Sequence, residues 1–284
     1  MLALLAVLAL LALLTSSCAH EARQPRGGVI VTGEVNTNEL YGIGVRKGND
    51  PLRRAMNAAL AEIVADGTYE AIYARWFPSA GDVQAQIQAI TQAAQPGDLG
   101  DSERYRLQQQ GRMIVGSDIA FAPFEFVENG QNRGFDIDLM NAIGERLGLQ
   151  VQFVNNPFDS IFVQLAGGQF DALISGITIT EERQQSIDFT NPYFLAKQGL
   201  AVLEDSGING VEDLAGKRVA VQSATTGERY AQAHFTDAVI ASFPTSEAAF
   251  AALRAAQVDA VFIDLPVARA AEASQAKGDR ETRR

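Results

Sequence analysis

Apolar residues return at helical spacing soon after Pro51: Leu52, Met56, Leu60, Ile63 and Val64 share one face. Gly67 suits the left-handed residue that closes such a helix. Tyr69, Ile72, Tyr73, Trp76 and Phe77 repeat the spacing over 68–77. Ahead of them, Val29–Thr32 and Tyr41–Val45 are short runs that predict strands. From Arg112 onward the period switches repeatedly. Met113–Ser117, Val151–Val154 and Asp171–Ser175 read as strands, separated by helices over Phe135–Leu147 and Phe158–Ala166. Leu139, Met140, Ile143 and Leu147 form the inward face of the first of these helices, which Gly148 ends. Further on, Arg218–Gln222, Ala238–Phe243 and Asp259–Asp264 read as strands, with helices over Gly227–Phe235 and Thr245–Gln257. Alternation of this kind predicts an α/β fold, with helices packed on mostly parallel sheets.

Residues 162–176 align with residues 250–264. Phe162 meets Phe250, Leu165 meets Leu253, Gln169 meets Gln257, Asp171 meets Asp259 and Ala172 meets Ala260. Each copy is a helix, a tight turn and an apolar strand, so the chain is expected to build two similar α/β lobes. In open α/β sheets, ligands bind beyond the carboxyl ends of the strands. Here those ends are Ser175-Gly176-Ile177-Thr178 and Ile263-Asp264. Thr180 is the N-cap candidate for a turn that carries Arg183, and Ser223–Gly227 is a hydroxyl-rich loop entering a helix. A cleft with an arginine at one end and an aspartate at the other suits a zwitterion. Arg183 would fork onto a carboxylate and Asp264 would hold an ammonium.

The chain has 284 residues, 34 acidic against 23 basic, and a net charge of -11. That balance argues against nucleic acid as the main partner. One cysteine excludes a disulfide framework, and with two histidines it excludes a zinc cluster. The glycines of YGIGVRKG miss the dinucleotide-binding spacing and sit on a strand. Residues 79–111 carry eight glutamines and few large apolar residues, so they read as a linker. Leu2–Leu14 is an apolar run too short to span a bilayer, and the small residues Thr15-Ser16-Ser17 lead from it to Cys18. Residues 1–17 are expected to be a signal peptide and 18–28 a tether. The segment resembles a bacterial lipoprotein signal, which would make Cys18 a lipid attachment point; a plain signal peptide is the alternative.

The runs AFAPFEF (120–126), GFDIDL (134–139), GITITEER (176–183), DFTNPYF (188–194), LAGKRVAVQSATTGE (214–228) and DAVFIDLP (259–266) resemble the polar amino-acid family of ABC-transporter solute-binding proteins. YGIGVRKGN (41–49) and ADGTYEAIYARWF (65–77) are similar to that family's C-terminal segment. The resemblance implies a two-lobed type II periplasmic-binding-protein fold, each lobe a mostly parallel sheet flanked by helices, joined by two hinge strands. The order differs from the family's, where the piece resembling 112–272 comes first, so the chain reads as circularly permuted. The alternative is a fragment of a tandem protein. The permuted reading puts 29–40 with 204–278 in lobe 2 and 41–78 with 112–196 in lobe 1. Hinges then fall at about 41–45 and 197–203, a linker at 79–111 and a tail at 279–284.

Carried over residue by residue, the resemblance implies that Arg183 binds the ligand α-carboxylate, helped by Thr178 and Thr226. Asp264 binds the ammonium, with Ser175 or Gly176 and Thr178 nearby. Phe121 and Phe158 sandwich the side chain, Asp118 meets its polar end, and Gln222 adds a contact. Plainer readings of the same residues are a solvated Arg183, core phenylalanines, Asp118 capping a turn and Asp264 capping a helix. The expected function is an exported receptor, periplasmic or at the cell surface. It would be a monomer without cofactor or metal, and not an enzyme, passing arginine, lysine or glutamine to an ABC permease. A cyclohexadienyl-dehydratase-like enzyme and a ligand-sensing domain are the competing functions.

Overall fold

The computed structural model describes residues 27–78, 83–95 and 106–282. The expected signal segment, most of the tether and Cys18 lie outside the described residues. The strands are β1 (Val29–Tyr41), β2 (Gly44–Arg46), β3 (Arg112–Ser117), β4 (Phe126–Glu128), β5 (Gln131–Arg133), β6 (Gln150–Asn155), β7 (Ala172–Leu173), β8 (Ile187–Phe189), β9 (Phe194–Leu203), β10 (Arg218–Gln222), β11 (Val239–Phe243) and β12 (Ala260–Asp264). The helices are α1 (Asp50–Ala65), α2 (Thr68–Trp76), α3 (Val83–Ala93), α4 (Phe135–Leu147), α5 (Phe158–Ala166), α6 (Glu181–Gln184), α7 (Thr226–His234), α8 (Ser246–Arg254) and α9 (Leu265–Thr282).

These strands form two five-stranded sheets. The first has the order β1-β9-β12-β10-β11 and the second β6-β3-β7-β2-β8, with β4 and β5 as a separate hairpin. Within the first sheet β10 runs parallel to β11 and β12, and within the second β3 runs parallel to β6 and β7; β9 is antiparallel to β1 and β12, and β2 to β7 and β8, so the sheets are mixed rather than mostly parallel. β12 is buried throughout and β10 beyond Arg218, as expected of apolar runs covered on both faces. The helical stripe Leu52, Met56, Leu60 and Ile63 is buried, and α1 and α2 pack on α4 beside the second sheet. Gly67 takes the left-handed conformation, with φ +82°, as the spacing required.

Among the described residues the chain passes directly between the sheets twice, and the two passages lie side by side. Tyr41 ends β1 in the first sheet and Gly44 begins β2 in the second; Phe189 ends β8 in the second and Phe194 begins β9 in the first. Between them, the Thr190 amide donates to the Ile43 carbonyl at 3.0 Å and the Tyr193 amide to the Tyr41 carbonyl at 2.8 Å.

Four elements differ from the sequence reading. The second passage falls at 190–193 rather than at 197–203, because β9 pairs with β1 along its whole length and with β12 over 198–202. β1 is one long strand where the sequence suggested two short runs. It is an edge strand paired only with β9, so its middle, Glu34–Glu39, alternates toward solvent and is polar. Part of the expected linker is helical: α3 packs against β9 through Val83, Ile87 and a buried Ile90, a stripe too narrow to stand out among glutamines and alanines. The expected tail starts inside α9, which runs to Thr282.

Candidate functional site

The carboxyl ends of strands from both sheets converge on one small cavity. β3 delivers Asp118, β7 leads into Ser175, Gly176 and Thr178, and the short α6 carries Arg183. From the first sheet come Gln222 after β10, Thr226 at the start of α7, and Asp264 ending β12. Phe121 and Phe158 complete the wall. All ten residues singled out in the sequence line this cavity, together with Thr225, which the sequence placed only in a hydroxyl-rich loop. Thr225 and Thr180 are N-caps: their hydroxyls accept from the amides of Glu228 at 3.0 Å and Arg183 at 3.1 Å. Gly176 has φ +53°, and a Cβ there would stand 2.8 Å from Phe121 Cε1, so the floor of the cavity needs glycine at this position.

Arg183 is only 7% exposed, so it is no solvated surface charge. Its Nη1 donates to the Thr178 carbonyl at 2.8 Å and its Nη2 to the Ala224 carbonyl of the other sheet at 3.3 Å. The guanidinium carbon lies 5.3 Å from the centre of the Phe158 ring and 4.8 Å from that of Phe162. Burial and then the nearby Arg229 lower its pKa to about 10, so it stays charged at neutral pH. No salt bridge among the described residues includes Arg183. A buried cation bonded only to carbonyls is costly until an anion reaches it.

The acids show the mirror pattern. Asp264 is 8% exposed and its Oδ1 accepts from the Tyr41 hydroxyl at 2.6 Å and from Gln198 Nε2 at 3.0 Å. Burial raises its pKa to about 7; the Tyr41 hydrogen bond opposes that shift and Glu39 adds to it. Asp264 also directly precedes α9, so it stands where a helix cap would, but its carboxylate faces the cleft. Asp118 Oδ2 accepts from Gln222 Nε2 at 2.7 Å, and burial raises its pKa to about 6. Neither aspartate meets a cation in the salt bridges of the described residues. Phe121 and Phe158 are buried and also line the cavity.

Bonds between the two sheets' loops close the cleft. Besides Gln222–Asp118 and Arg183–Ala224, the Thr178 and Thr226 hydroxyl oxygens stand 3.4 Å apart, and Ser246 Oγ donates to the Ala120 carbonyl at 2.6 Å. Arg229 pairs with Glu182 across the lip at 2.6 Å. Three supporting residues escaped the sequence reading: Tyr41 and Gln198, which hold Asp264, and Glu39, whose Oε2 accepts from Thr226 Oγ1 at 3.0 Å. In the sequence Tyr41 reads only as a strand residue, and nothing local marks the other two.

The arrangement can neutralise a carboxylate at Arg183 and hold cationic groups at Asp264 and Asp118. The sequence profile of the bacterial extracellular solute-binding proteins, family 3, matches residues 13–79 and 113–280. The histidine-binding periplasmic protein of Escherichia coli K12 is 38% identical over 154 residues, which are 53% of this chain and 59% of that protein. The chain thus spans less than two thirds of that relative's length. The solved structure of an ancestral arginine-binding protein bound to glutamine is 41% identical, with a TM-score of 0.54 over 57% of this chain and 73% of the other. The arginine-, lysine-, histidine-binding protein of Geobacillus stearothermophilus is 40% identical, with a TM-score of 0.56 over 58% of this chain and 72% of the other.

Proposed function

This chain belongs to the bacterial extracellular solute-binding proteins of family 3, and from that premise we propose that it is an exported receptor that captures a polar L-amino acid for an ABC permease. The fold is that of the type II periplasmic amino-acid-binding proteins. One observation carries the reading: a buried, charged Arg183 that forms no salt bridge among the described residues shares a cavity with buried Asp264 and Asp118, which likewise form none among them. A free amino acid supplies both missing partners. Its α-carboxylate takes the remaining N–H groups of Arg183 and the N-terminal amides of α7, with the Thr178 and Thr226 hydroxyls beside them. Its ammonium takes Asp264. Its side chain lies between Phe121 and Phe158 with its polar tip at Asp118, near Gln222 and the Ser175–Gly176 floor.

Arginine or lysine suits Asp118 best, with glutamine next. A guanidinium between two aromatic faces gains about 0.5–2 kcal/mol of cation–π attraction. Capture proceeds by closure of the lobes about the paired passages at 41–44 and 189–194, since these are the only direct chain connections between the sheets among the described residues. The pairing of β1 with β9, and of β2 with β7 and β8, supports a circularly permuted domain in which 29–78 belongs to the same fold as 112–278. Within this reading, residues 1–17 direct export as a lipoprotein signal that leaves Cys18 as the lipid attachment point, or as a plain signal peptide, and the receptor acts as a monomer without turnover.

The test is a thermal-shift screen of the standard amino acids, followed by chromatography of the incubated ligand. A ligand at 100 times its Kd adds about 2.7 kcal/mol of stability. Stabilisation by arginine or lysine with the ligand recovered intact is the expected result. Conversion of a ligand would show an enzyme instead, and no stabilisation by any amino acid would overturn the receptor reading.

A further inference from the structure

Behind the cleft floor lies a second cluster that takes no part in the proposed contacts with the amino acid. Glu125 and Asp136 are both 0% exposed. Glu125 follows the turn after Phe121, and Asp136 stands in the first turn of α4. Each has one satisfied oxygen. Glu125 Oε1 accepts from Ser175 Oγ at 2.6 Å; Asp136 Oδ2 accepts from the Gly176 amide at 3.0 Å and the Tyr193 hydroxyl at 2.8 Å. Each also has one orphan: Glu125 Oε2 and Asp136 Oδ1 are buried without a partner. The two carboxyl groups are within hydrogen-bonding reach of each other.

Two buried carboxylates in contact cannot both ionise without a cation. None is at hand. The groups that act on the pair are Asp118, Ser175, Tyr193, the Gly176 amide and, on α2, Tyr69. Arg75 on α2 and Arg146 on α4 are engaged elsewhere, with Asp138 and Asp66, and Arg53 on α1 with Asp50. One proton between the orphan oxygens would satisfy both at once.

We propose that Glu125 and Asp136 hold a single shared proton, Glu125 as the acid and Asp136 as the carboxylate, and that this pair positions the Ser175–Gly176 floor of the cleft. The assignment of roles follows from the partners. Asp136 already takes two donors and sits at a helix N-terminus, both of which favour its anion. Glu125 Oε2 then donates to Asp136 Oδ1, while Oε1 keeps Ser175. Ser175 in turn accepts from the Asp118 amide at 3.0 Å. Glu125 and Asp136 are therefore positioning residues for Ser175, Gly176 and Asp118. When the shared proton leaves to solvent at high pH, two adjacent buried anions push that floor apart. Burial foremost, and the mutual charge after it, raises the Glu125 pKa; burial raises that of Asp136 to about 6.

The role of the floor rests on the receptor reading, so the first measurement uses no ligand. Infrared spectra of the wild-type protein in heavy water are recorded near pH 8.5, above the values of about 6 for Asp118 and about 7 for Asp264. A carbonyl stretch of a protonated carboxyl that disappears in Glu125→Gln is the expected result. No such band in the folded wild type, or a band unchanged in Glu125→Gln, would overturn the shared proton. The second arm titrates arginine against pH by calorimetry. Wild-type affinity should fall by about tenfold as the proton leaves, the scale of one charge-assisted hydrogen bond, and Glu125→Gln should remove that fall. Asp136→Asn should move it to lower pH. Identical profiles in all three proteins would overturn the positioning role. A wild type that binds no amino acid would defeat the receptor reading and leave the infrared result to decide the pair.

Discussion

Gln222 Nε2 donates to Asp118 Oδ2 at 2.7 Å across the cleft, joining the end of β10 in one sheet to the end of β3 in the other. The bond places the amide of one lobe on the acid of the other where the ligand side chain is expected to end. A cationic side chain must share Asp118 with Gln222 or take its place.

Asp118→Asn should therefore discriminate between ligands. It removes the charge but keeps the shape. A hydrogen bond to a charged group is worth about 1.5–3 kcal/mol, so arginine affinity should fall by roughly 10–150-fold. Glutamine affinity should change far less. Calorimetry with both ligands on both proteins checks this, and an unchanged arginine affinity would remove Asp118 from the side-chain site.

Arg183→Ala should abolish amino-acid binding, at a cost of about 2–5 kcal/mol or more, because it leaves the ligand carboxylate unpaired in a buried site. The ligand-free protein should not melt lower. It loses a buried cation that has no counter-ion among the described residues, together with two bonds to carbonyls. Calorimetry and thermal unfolding on the same preparation separate the two effects. A lower melting point with intact binding would make Arg183 structural.

The raised pKa of Asp264, about 7, sets a pH dependence. Between about pH 4 and about pH 7 the folded, ligand-free protein holds a proton on this group that the unfolded chain has lost. Its contribution to stability is full below that window and declines as pH rises through it. Binding an ammonium needs the carboxylate, so arginine affinity should weaken as pH falls below about 7. The stabilisation by arginine should accordingly grow from about pH 5 to about pH 8 in thermal unfolding, and Asp264→Asn should flatten that growth.

Much of the fold was legible because its central elements are covered on both sides. β10 and β12 are short apolar runs bounded by turns, and α1 and α4 carry full helical stripes. The repeat with Phe162 and Phe250 placed strand ends opposite one another, and the motifs around Arg183 and Asp264 did the rest. What escaped lies at edges and in pairs. Edge strand β1 has a polar middle that no period-two pattern exposes. Helix α3 has a stripe of three residues. Glu125 and Asp136 are far more buried than their residue types suggest, and only the folded chain brings them together. Tyr41 read as a strand residue, since its bond to Asp264 spans 223 positions.

Removing residues 29–78 should unfold the domain. It would strip β1 from the first sheet, β2 from between β7 and β8 in the second, and the α1–α2 layer from α4. Buried apolar area is worth about 25 cal/mol per Å², and the buried side chains lost include Tyr41, Ile43, Leu52, Met56, Ile63 and Tyr69. The loss exceeds the usual margin of about 5–15 kcal/mol. The comparison is between residues 29–284 and 112–284. A sharp melt with full binding in the shorter chain would overturn the permuted reading.

The central claim is that the cleft reads both charged ends of an amino acid, and calorimetry with three related ligands tests it most directly. L-arginine should bind the wild-type protein with one site per chain. Agmatine, which lacks the carboxylate, and Nα-acetylarginine, which lacks the ammonium, should each bind at least about tenfold more weakly, the scale of a lost charge-assisted hydrogen bond. Agmatine or acetylarginine binding as tightly as arginine would contradict the pairing of Arg183 and Asp264 with the two ends of the ligand.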